Sequence, residues 1–285
     1  RDVPLAPLTT YKRGGSAAWF LDVDDESVLD GHPIPDDLPV LVLGRGSNLL
    51  VADAGFPGLV LRLGPGLGRV VFDGAEVVAG GATSLPLLAR AAAQADRGGL
   101  SWYVGIPGSV GGAVRMNAGC HGAETTDVLV HARIRHLRTG ETRVATPDDL
   151  ALSYRHSNLT DDDFVVAARF RTTPSSRAEE EATMREITRW RKESQPGGTH
   201  NAGSVFKNPS GDAAGRIIDS LGLKGLAVGG ASVSEKHANF IVADDTAGAD
   251  DIHELVGEVR QRVLEATGTD LVPEIRFVGF TEETP

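Results

Sequence analysis

The sequence predicts an α+β protein in three parts, spanning residues 1–63, 64–174 and 175–285. Three observations carry this. Short strand-like runs dominate the chain as far as residue 173, with one clear helix among them. Two dense glycine clusters interrupt those runs. Then Pro174-Ser175-Ser176-Arg177 marks a break, after which helices and short strands alternate as in a small α+β domain.

In the first part, strands are expected over 18–23, 40–43 and 59–63, with a helix-like stretch at 24–29. Val40, Leu41, Val42 and Leu43 form a continuous apolar run, as in a buried strand. It leads into Gly44-Arg45-Gly46-Ser47-Asn48, and Leu49 opens a second apolar run to Val51. Two glycines and an Asn permit positive φ and let backbone N–H groups converge on an anion. No helical pattern follows, and no third glycine stands at Rossmann spacing. The segment is therefore strand–loop–strand, unlike the strand–loop–helix of a nicotinamide-binding unit. On its own it reads as a phosphate cradle or as an ordinary glycine-rich turn.

In the second part, strands are expected over 69–72, 76–79, 128–137, 142–145 and 164–170, with a hairpin around Arg138-Thr139-Gly140-Glu141. Ser84 is placed to cap a helix on which Leu87, Leu88, Ala91 and Ala95 recur at helical spacing. Residues 105–122 read GIPGSVGGAVRMNAGCHG. Gly105, Gly108, Gly111, Gly112, Gly119 and Gly122 are too dense for a stable helix or strand. Pro107, Ser109 and Asn117 complete a largely backbone-lined segment. Two such loops suit the two phosphates of a dinucleotide such as FAD, and the alternative is a purely structural loop.

In the third part, the pattern predicts a charged helix over 178–192, a strand at 204–206, a helix over 213–221, strands within 232–242, a helix over 250–267 and a strand over 274–278. The 250–267 helix sets Ile252, Leu255, Val256, Val259 and Val263 on one face.

Composition narrows the function. A formal net charge of −11 argues against a nucleic-acid footprint and against attraction to anionic membranes. Hydrophobic residues make up 41% of the chain, and no run reaches the length of a membrane-spanning helix. Arg1-Asp2-Val3-Pro4 does not read as a signal peptide. Cys120 is the single cysteine, so no intrachain disulfide forms and a cytoplasmic location is expected. The eight histidines show no metal-ligand spacing, so no metal is expected. Oligomeric state is not legible.

Taken together, the two glycine clusters resemble the FAD-binding domain of the vanillyl-alcohol oxidase superfamily, of PCMH type. More specifically, the chain resembles the UDP-N-acetylenolpyruvoylglucosamine reductase family, type II branch. Seven ordered segments carry the likeness: PLAPLTTYKRGGSA (4–17), LVLGRGSNLLV, IPGSVGGAVRMNAG, Tyr154-Arg155-His156-Ser157, AGSVFKNP (202–209), SEKHANFIV (234–242) and PEIRFVG (273–279). The resemblance implies a two-part FAD-binding region, a C-terminal substrate domain, non-covalent FAD, NADPH as reductant and a small nucleotide-sugar substrate. It makes Gly44 to Leu49 and the 105–122 segment the flavin loops.

The family reaction reduces an enol ether by two electrons. Negative charge develops beside the substrate carboxylate, and a proton completes the lactyl ether. That chemistry needs a cation at the carboxylate, a proton donor and a dry cavity. By resemblance, Arg155 is the catalytic arginine, Glu274 its partner at the enolate end, and Ser204 the proton donor. A guanidinium suits a carboxylate because it binds in a bidentate manner and stays charged. Tyr154, Lys192, Lys207 and Asn208 are the implied substrate contacts. As isolated residues, Arg155 reads as a surface loop arginine, Ser204 as a turn cap and Glu274 as a solvated strand-edge residue.

The chain departs from the family pattern at Cys120-His121, at Leu152-Ser153 before Tyr154, and at Arg216. Two further readings therefore stand beside the reductase. One is a paralogous flavoenzyme acting on another nucleotide sugar or a secondary metabolite. The other is a non-catalytic flavin or nucleotide-sugar binding protein.

Overall fold

A computed structural model describes residues 1–281. Their contacts fall into two compact units. One comprises Arg1–Trp19, Gly46–Pro57 and the chain from Lys192 onward; the other comprises Phe20–Arg45 and Gly58–Arg191.

The Phe20–Arg45/Gly58–Arg191 unit is built on a five-stranded antiparallel sheet. Its order is Thr142–Ala145, Leu129–His136, Asp163–Arg171, Glu76–Gly80, Val70–Asp73. The first two strands form the expected hairpin, pairing Ala132 with Ala145 and Arg135 with Thr142. Helix Leu85–Gln94 starts where Ser84 predicts, the Ser84 Oγ accepting from the Leu87 N–H at 3.3 Å. It buries Leu85, Leu88, Ala89, Ala92 and Ala93, which pack in one core with Trp102, Tyr103 and Phe170. A second core joins Val23, Leu29, Val40, Leu61, Phe164 and Val166. There Val40–Leu43 pairs in parallel with Leu59 to Arg62. Parallel partners need a crossover, and the Gly44 loop begins it. The helix-like stretch is one 3₁₀ turn, Glu26–Leu29, capped by Asp25.

The sequence reading fails in the second glycine cluster. Val110–Met116 is a helix despite Gly111 and Gly112. Each glycine costs the helix about 1 kcal/mol relative to Ala. Three local features offset that cost. Ser109 Oγ caps the first turn by accepting from Gly112 N–H at 3.3 Å, and Asn117 takes the left-handed C-cap conformation, φ 41°. Val110, Ala113 and Val114 are buried. Gly111 sits in close contact with the neighbouring backbone. Its N–H donates to Gly81 O at 2.9 Å, and a Cβ there would stand 3.3 Å from that oxygen.

The unit containing the C-terminal region has a core of its own. Helix Ala249–Thr267 lays Ile252, Leu255, Val256, Val259 and Val263 against it, the stripe the sequence predicts. The helix packs on the antiparallel strands Ala227–Val228, Ala231–Val233 and Ile241–Ala243. Leu49–Val51 pairs in parallel with Arg276–Val278, Leu49 opposite Arg276. The apolar run after the first glycine loop therefore joins the last strand among the described residues. Tyr11 is fully buried here and its hydroxyl donates to Ile241 O.

Two expected strands are shorter or absent. Residues 204–206 make only an isolated bridge, Phe206 opposite Pro273, because the Phe206 N–H and C=O are taken by the Asn239 side chain and the Val205 N–H by Asn239 O. Within 232–242, only the two ends pair. Residues 234–240 turn instead, with Ser234 Oγ accepting from the N–H groups of Lys236 and His237. Lys236 and His237 thus lie in a turn, not in a strand.

Candidate active site

In the unit containing the C-terminal region, three motifs far apart in the sequence are tied to one another. Glu274 N–H donates to Val205 O at 2.7 Å, and Lys207 N–H to Val272 O at 2.8 Å. Asn48 Nδ2 donates to Glu274 O at 3.0 Å, and Arg276 N–H donates to Asn48 O at 3.0 Å. The end of the first glycine loop, the Ser204 segment and the Glu274 segment are therefore fixed together by backbone groups. Gly203 enters this turn at φ 82°, its N–H bonded to Asn201 Oδ1, and Ser204 is half-buried beside it.

Sequence reasoning missed the residue that anchors this arrangement. Asn239 is buried, and its side chain acts as a strand partner for Phe206. Its Oδ1 accepts from Phe206 N–H at 2.9 Å and its Nδ2 donates to Phe206 O at 2.8 Å, while Asn239 O accepts from Val205 N–H. The signal was present in the sequence: an Asn between Ala238 and Phe240 stands among apolar residues, where a polar side chain must find partners.

The expected substrate contacts are distributed more widely. Asn208 Oδ1 caps helix Ala214–Ser220 by accepting from Ala214 N–H at 3.0 Å. Lys207 is half-buried. Lys192 is exposed, and its carbonyl accepts from Lys236 Nζ at 2.5 Å, so Lys236 ties down the end of helix Arg177–Ser194. His237 accepts from Asn239 N–H through Nδ1 and packs edge-on against Phe240. Burial pushes its pKa down, consistent with a neutral structural imidazole. Arg216 pairs with Asp212 one helical turn earlier, on an exposed surface.

In the other unit, Tyr154 and Arg155 occupy the centre of a tight turn closed by Ser153 N–H to His156 O and His156 N–H to Ser153 O, at 3.1 and 3.0 Å. Arg155 sits at φ 53°, a conformation that costs an L-residue about 1–2 kcal/mol. Its guanidinium lies 4.8 Å from the Tyr154 ring centroid and donates to Gly119 O at 2.8 Å and to Glu124 Oε1 at 3.3 Å. Gly119–Cys120 and Ala123–Glu124 pair as a two-stranded ribbon around His121 and Gly122, both at positive φ. Gly119 must lack a side chain: a Cβ would stand 2.6 Å from Ala123 O and 3.1 Å from Arg155 Nη1.

The two glycine loops fit a phosphate-bearing group. Gly46 is at φ 59°, where a Cβ would run into Leu8 O; one on Gly44 would run into Ser109 Oγ. Beside each loop is a threonine hydroxyl buried without a hydrogen-bond partner. Thr10, whose N–H donates to Gly46 O, is one. Thr83, whose carbonyl accepts from Val110 N–H, is the other. A buried hydroxyl without a partner costs about 1–3 kcal/mol, so a ligand with polar atoms satisfies what the protein leaves open. The sequence reading missed both threonines. Gly105, Pro107, Gly108, Gly112 and Gly122 belong to the same backbone-lined segment, as do Arg45 and Ser47 to the first loop, and Leu49 opens the strand that follows it.

Cys120 carries no sign of a reactive thiol. Its S–H donates to Trp102 O at 3.2 Å, and burial pushes its pKa up to about 11 despite the nearby Arg191 and Arg155. His121 packs edge-on against Trp190 at 4.8 Å. No group of three or more His, Cys, Asp or Glu residues among the described residues could hold a metal. No described helix is long and apolar enough to cross a membrane.

Comparison with known proteins bears on this geometry. Residues 35–146 match a family described as an FAD binding domain, and residues 195–278 match the C-terminal domain of UDP-N-acetylenolpyruvoylglucosamine reductase. The reductase of that name from Parvibaculum lavamentivorans is 45% identical over 99% of this chain and 91% of its own. That of Azorhizobium caulinodans is 42% identical over 98% of this chain and 91% of its own. The crystal structure of UDP-N-acetylenolpyruvylglucosamine reductase from Thermus caldophilus superposes with a TM-score of 0.82 at 38% identity, covering 98% of each chain. With both domains matched and relatives aligned end to end, the chain belongs to the UDP-N-acetylenolpyruvoylglucosamine reductase family.

Proposed function

We propose that this protein is an FAD-dependent, NADPH-using UDP-N-acetylmuramate dehydrogenase. It reduces the enolpyruvyl ether of UDP-N-acetylglucosamine enolpyruvate to the lactyl ether of UDP-N-acetylmuramate, in the cytoplasm, for peptidoglycan precursor synthesis. The observation that carries the reading is the convergence of Asn48, the Ser204 segment and Glu274 on shared backbone hydrogen bonds and the Asn48 side-chain amide, in a chain 45% identical to a reductase of this name. Residues 1–63 and 64–174 serve the flavin in this reading, and 175–285 the substrate.

Gly44 to Leu49 and Gly105 to Gly122 would hold non-covalent FAD, which when bound would supply hydride chemistry at the expense of NADPH. The unpartnered hydroxyls of Thr10 and Thr83 are polar groups that each loop would offer it. The chain's own residues do the rest. Arg155 binds the substrate carboxylate, and its fixed charge favours the negative charge that develops next to it. Glu274 acts at the same enolate end. Ser204 Oγ delivers the proton to the lactyl C2; a serine hydroxyl is a weak acid, but an enolate carbon is basic enough to take its proton when the geometry is fixed. Tyr154, Lys192, Lys207 and Asn208 contact the nucleotide sugar.

The test is a substrate panel. NADPH oxidation should require the enolpyruvyl ether, yield one UDP-N-acetylmuramate per NADPH, and fail with UDP-N-acetylglucosamine. Oxidation driven better by a different nucleotide sugar would point to a paralogue's activity; a bound flavin that no acceptor reoxidises would point to a binding protein.

A further inference from the structure

We propose that Glu124 is a positioning residue for Arg155: its carboxylate holds the guanidinium in register with the glycine-rich segment. This rests on the reading of Arg155 as the group that binds the substrate carboxylate. The two oxygens of Glu124 are used separately. Oε1 accepts from Arg155 Nη1 at 3.3 Å, and Oε2 accepts from Asn117 Nδ2 at 3.0 Å. Asn117 is fully buried and caps the Val110–Met116 helix. Its Nδ2 also donates to Ser153 O at 2.9 Å, the residue that opens the Tyr154-Arg155 turn, and its Oδ1 accepts from Thr126 N–H at 2.9 Å. The chain Asn117–Glu124–Arg155 is thus closed at both ends, because Asn117 touches the Arg155 turn and the carboxylate touches the Arg155 side chain.

The ribbon that carries Glu124 is itself fixed. Glu124 N–H donates to Asp127 Oδ2 at 2.7 Å, and Gly119 O on the paired strand takes the second guanidinium contact. An arginine in a left-handed turn has no local preference for that backbone. Its side chain must be held by other residues, and a carboxylate offers two separate acceptor oxygens, one to each of the two donors. Glutamine keeps one of those oxygens and puts an NH₂ donor in place of the other, facing Arg155 or Asn117 with a donor. Aspartate is one methylene shorter and cannot span the same two donors.

The experiment compares two ligands that differ in the carboxylate, measured by calorimetry on the flavin-loaded protein. UDP-N-acetylmuramate carries the carboxylate and UDP-N-acetylglucosamine does not. Glu124→Gln is expected to weaken the first about tenfold and to leave the second unchanged, with thermal stability retained well enough for both measurements. In an Arg155→Ala background, Glu124→Gln should have no further effect on either ligand, since coupled groups are not additive. Equal weakening of both ligands, or multiplicative losses in the double variant, overturns the proposal in favour of a general structural role. If Arg155→Ala weakens carboxylate binding and Glu124→Gln does not, Glu124 is not the positioning group and the reading of Arg155 stands. If Arg155→Ala leaves carboxylate binding unchanged, the reading of Arg155 falls first, and this inference with it.

Discussion

The two units hold their candidate functional residues in opposite ways. Ser204 and Glu274 sit on segments tied to one another by main-chain hydrogen bonds and to Asn48 through both its carbonyl and its side-chain amide, with the Asn239 side chain standing in for a missing strand. Arg155 stands in a strained turn, and its guanidinium is held by Glu124, Gly119 O and the Tyr154 face. Backbone ties tolerate most substitutions at the residues they carry, because each residue type offers the same N–H and C=O. Side-chain ties are lost with one residue. Loss of the Asn239 anchor should therefore cost stability, and loss of the Arg155 guanidinium should cost activity with the fold intact.

The largest expected effect lies at Arg155. Arg155→Gly removes the guanidinium but relaxes the φ 53° backbone, for which glycine has no Cβ penalty. Turnover should fall on the order of 100-fold or more, as for loss of one preorganised stabiliser. Stability should stay within about 1 kcal/mol, the relief of about 1–2 kcal/mol being offset by glycine's greater freedom in the unfolded chain. Steady-state kinetics and thermal melting on the same sample check both halves. A large loss of stability would mean that the turn depends on the arginine side chain and would break the comparison.

Asn239→Ala is the counterpart in the other unit. It strips the Phe206 N–H and C=O of their partners in a buried setting, at about 1–3 kcal/mol for each orphaned group. The melting temperature should drop by several degrees, at about 2–4 °C per kcal/mol for a chain of this size. Below the new transition most of the activity should remain. Full stability with lost activity would instead place Asn239 in the chemistry.

The smallest effect concerns Cys120, and it separates a structural thiol from a flavin linkage. The folded-state pKa of about 11 lies above that of a free thiol, near 8.5. The fold therefore binds the proton more tightly than the unfolded chain. That contribution to stability is complete below about pH 8.5 and is lost as pH rises toward 11. Iodoacetamide should modify the native protein slowly at pH 8 and faster toward pH 11. Acid precipitation should release all flavin to the supernatant, from the parent and from Cys120→Ala alike. Flavin retained in the pellet would turn attention to Cys120 and His121.

What the sequence made legible follows the same division. Strand 40–43, the Ser84 cap and the apolar stripe from Ile252 to Val263 rest on local periodicity, and the structure has them. The Val110–Met116 helix was not legible, because Gly111 and Gly112 oppose it locally, while the caps at Ser109 and Asn117 and the burial of Val110, Ala113 and Val114 stabilise it. The strand at 204–206 was over-read for the opposite reason: Val205 and Phe206 look like a strand, but their hydrogen bonds go to Asn239 and Glu274. Arg155, Ser204 and Glu274 were reachable only through the order of seven motifs, since each is bland alone. Glu124, Thr10 and Thr83 act through distant partners, and nothing in their near neighbours announces them; Asn239 alone is signalled by the apolar residues around it.

The central claim is that this chain passes electrons to an enolpyruvyl ether. The most direct test is a single turnover without oxygen. The protein is reduced with one equivalent of NADPH and then mixed with UDP-N-acetylglucosamine enolpyruvate in deuterated water. The oxidised-flavin absorbance should return, with one UDP-N-acetylmuramate formed per flavin and deuterium at the lactyl C2. A flavin that stays reduced until oxygen is admitted, with the enolpyruvyl ether recovered unchanged, would contradict the account.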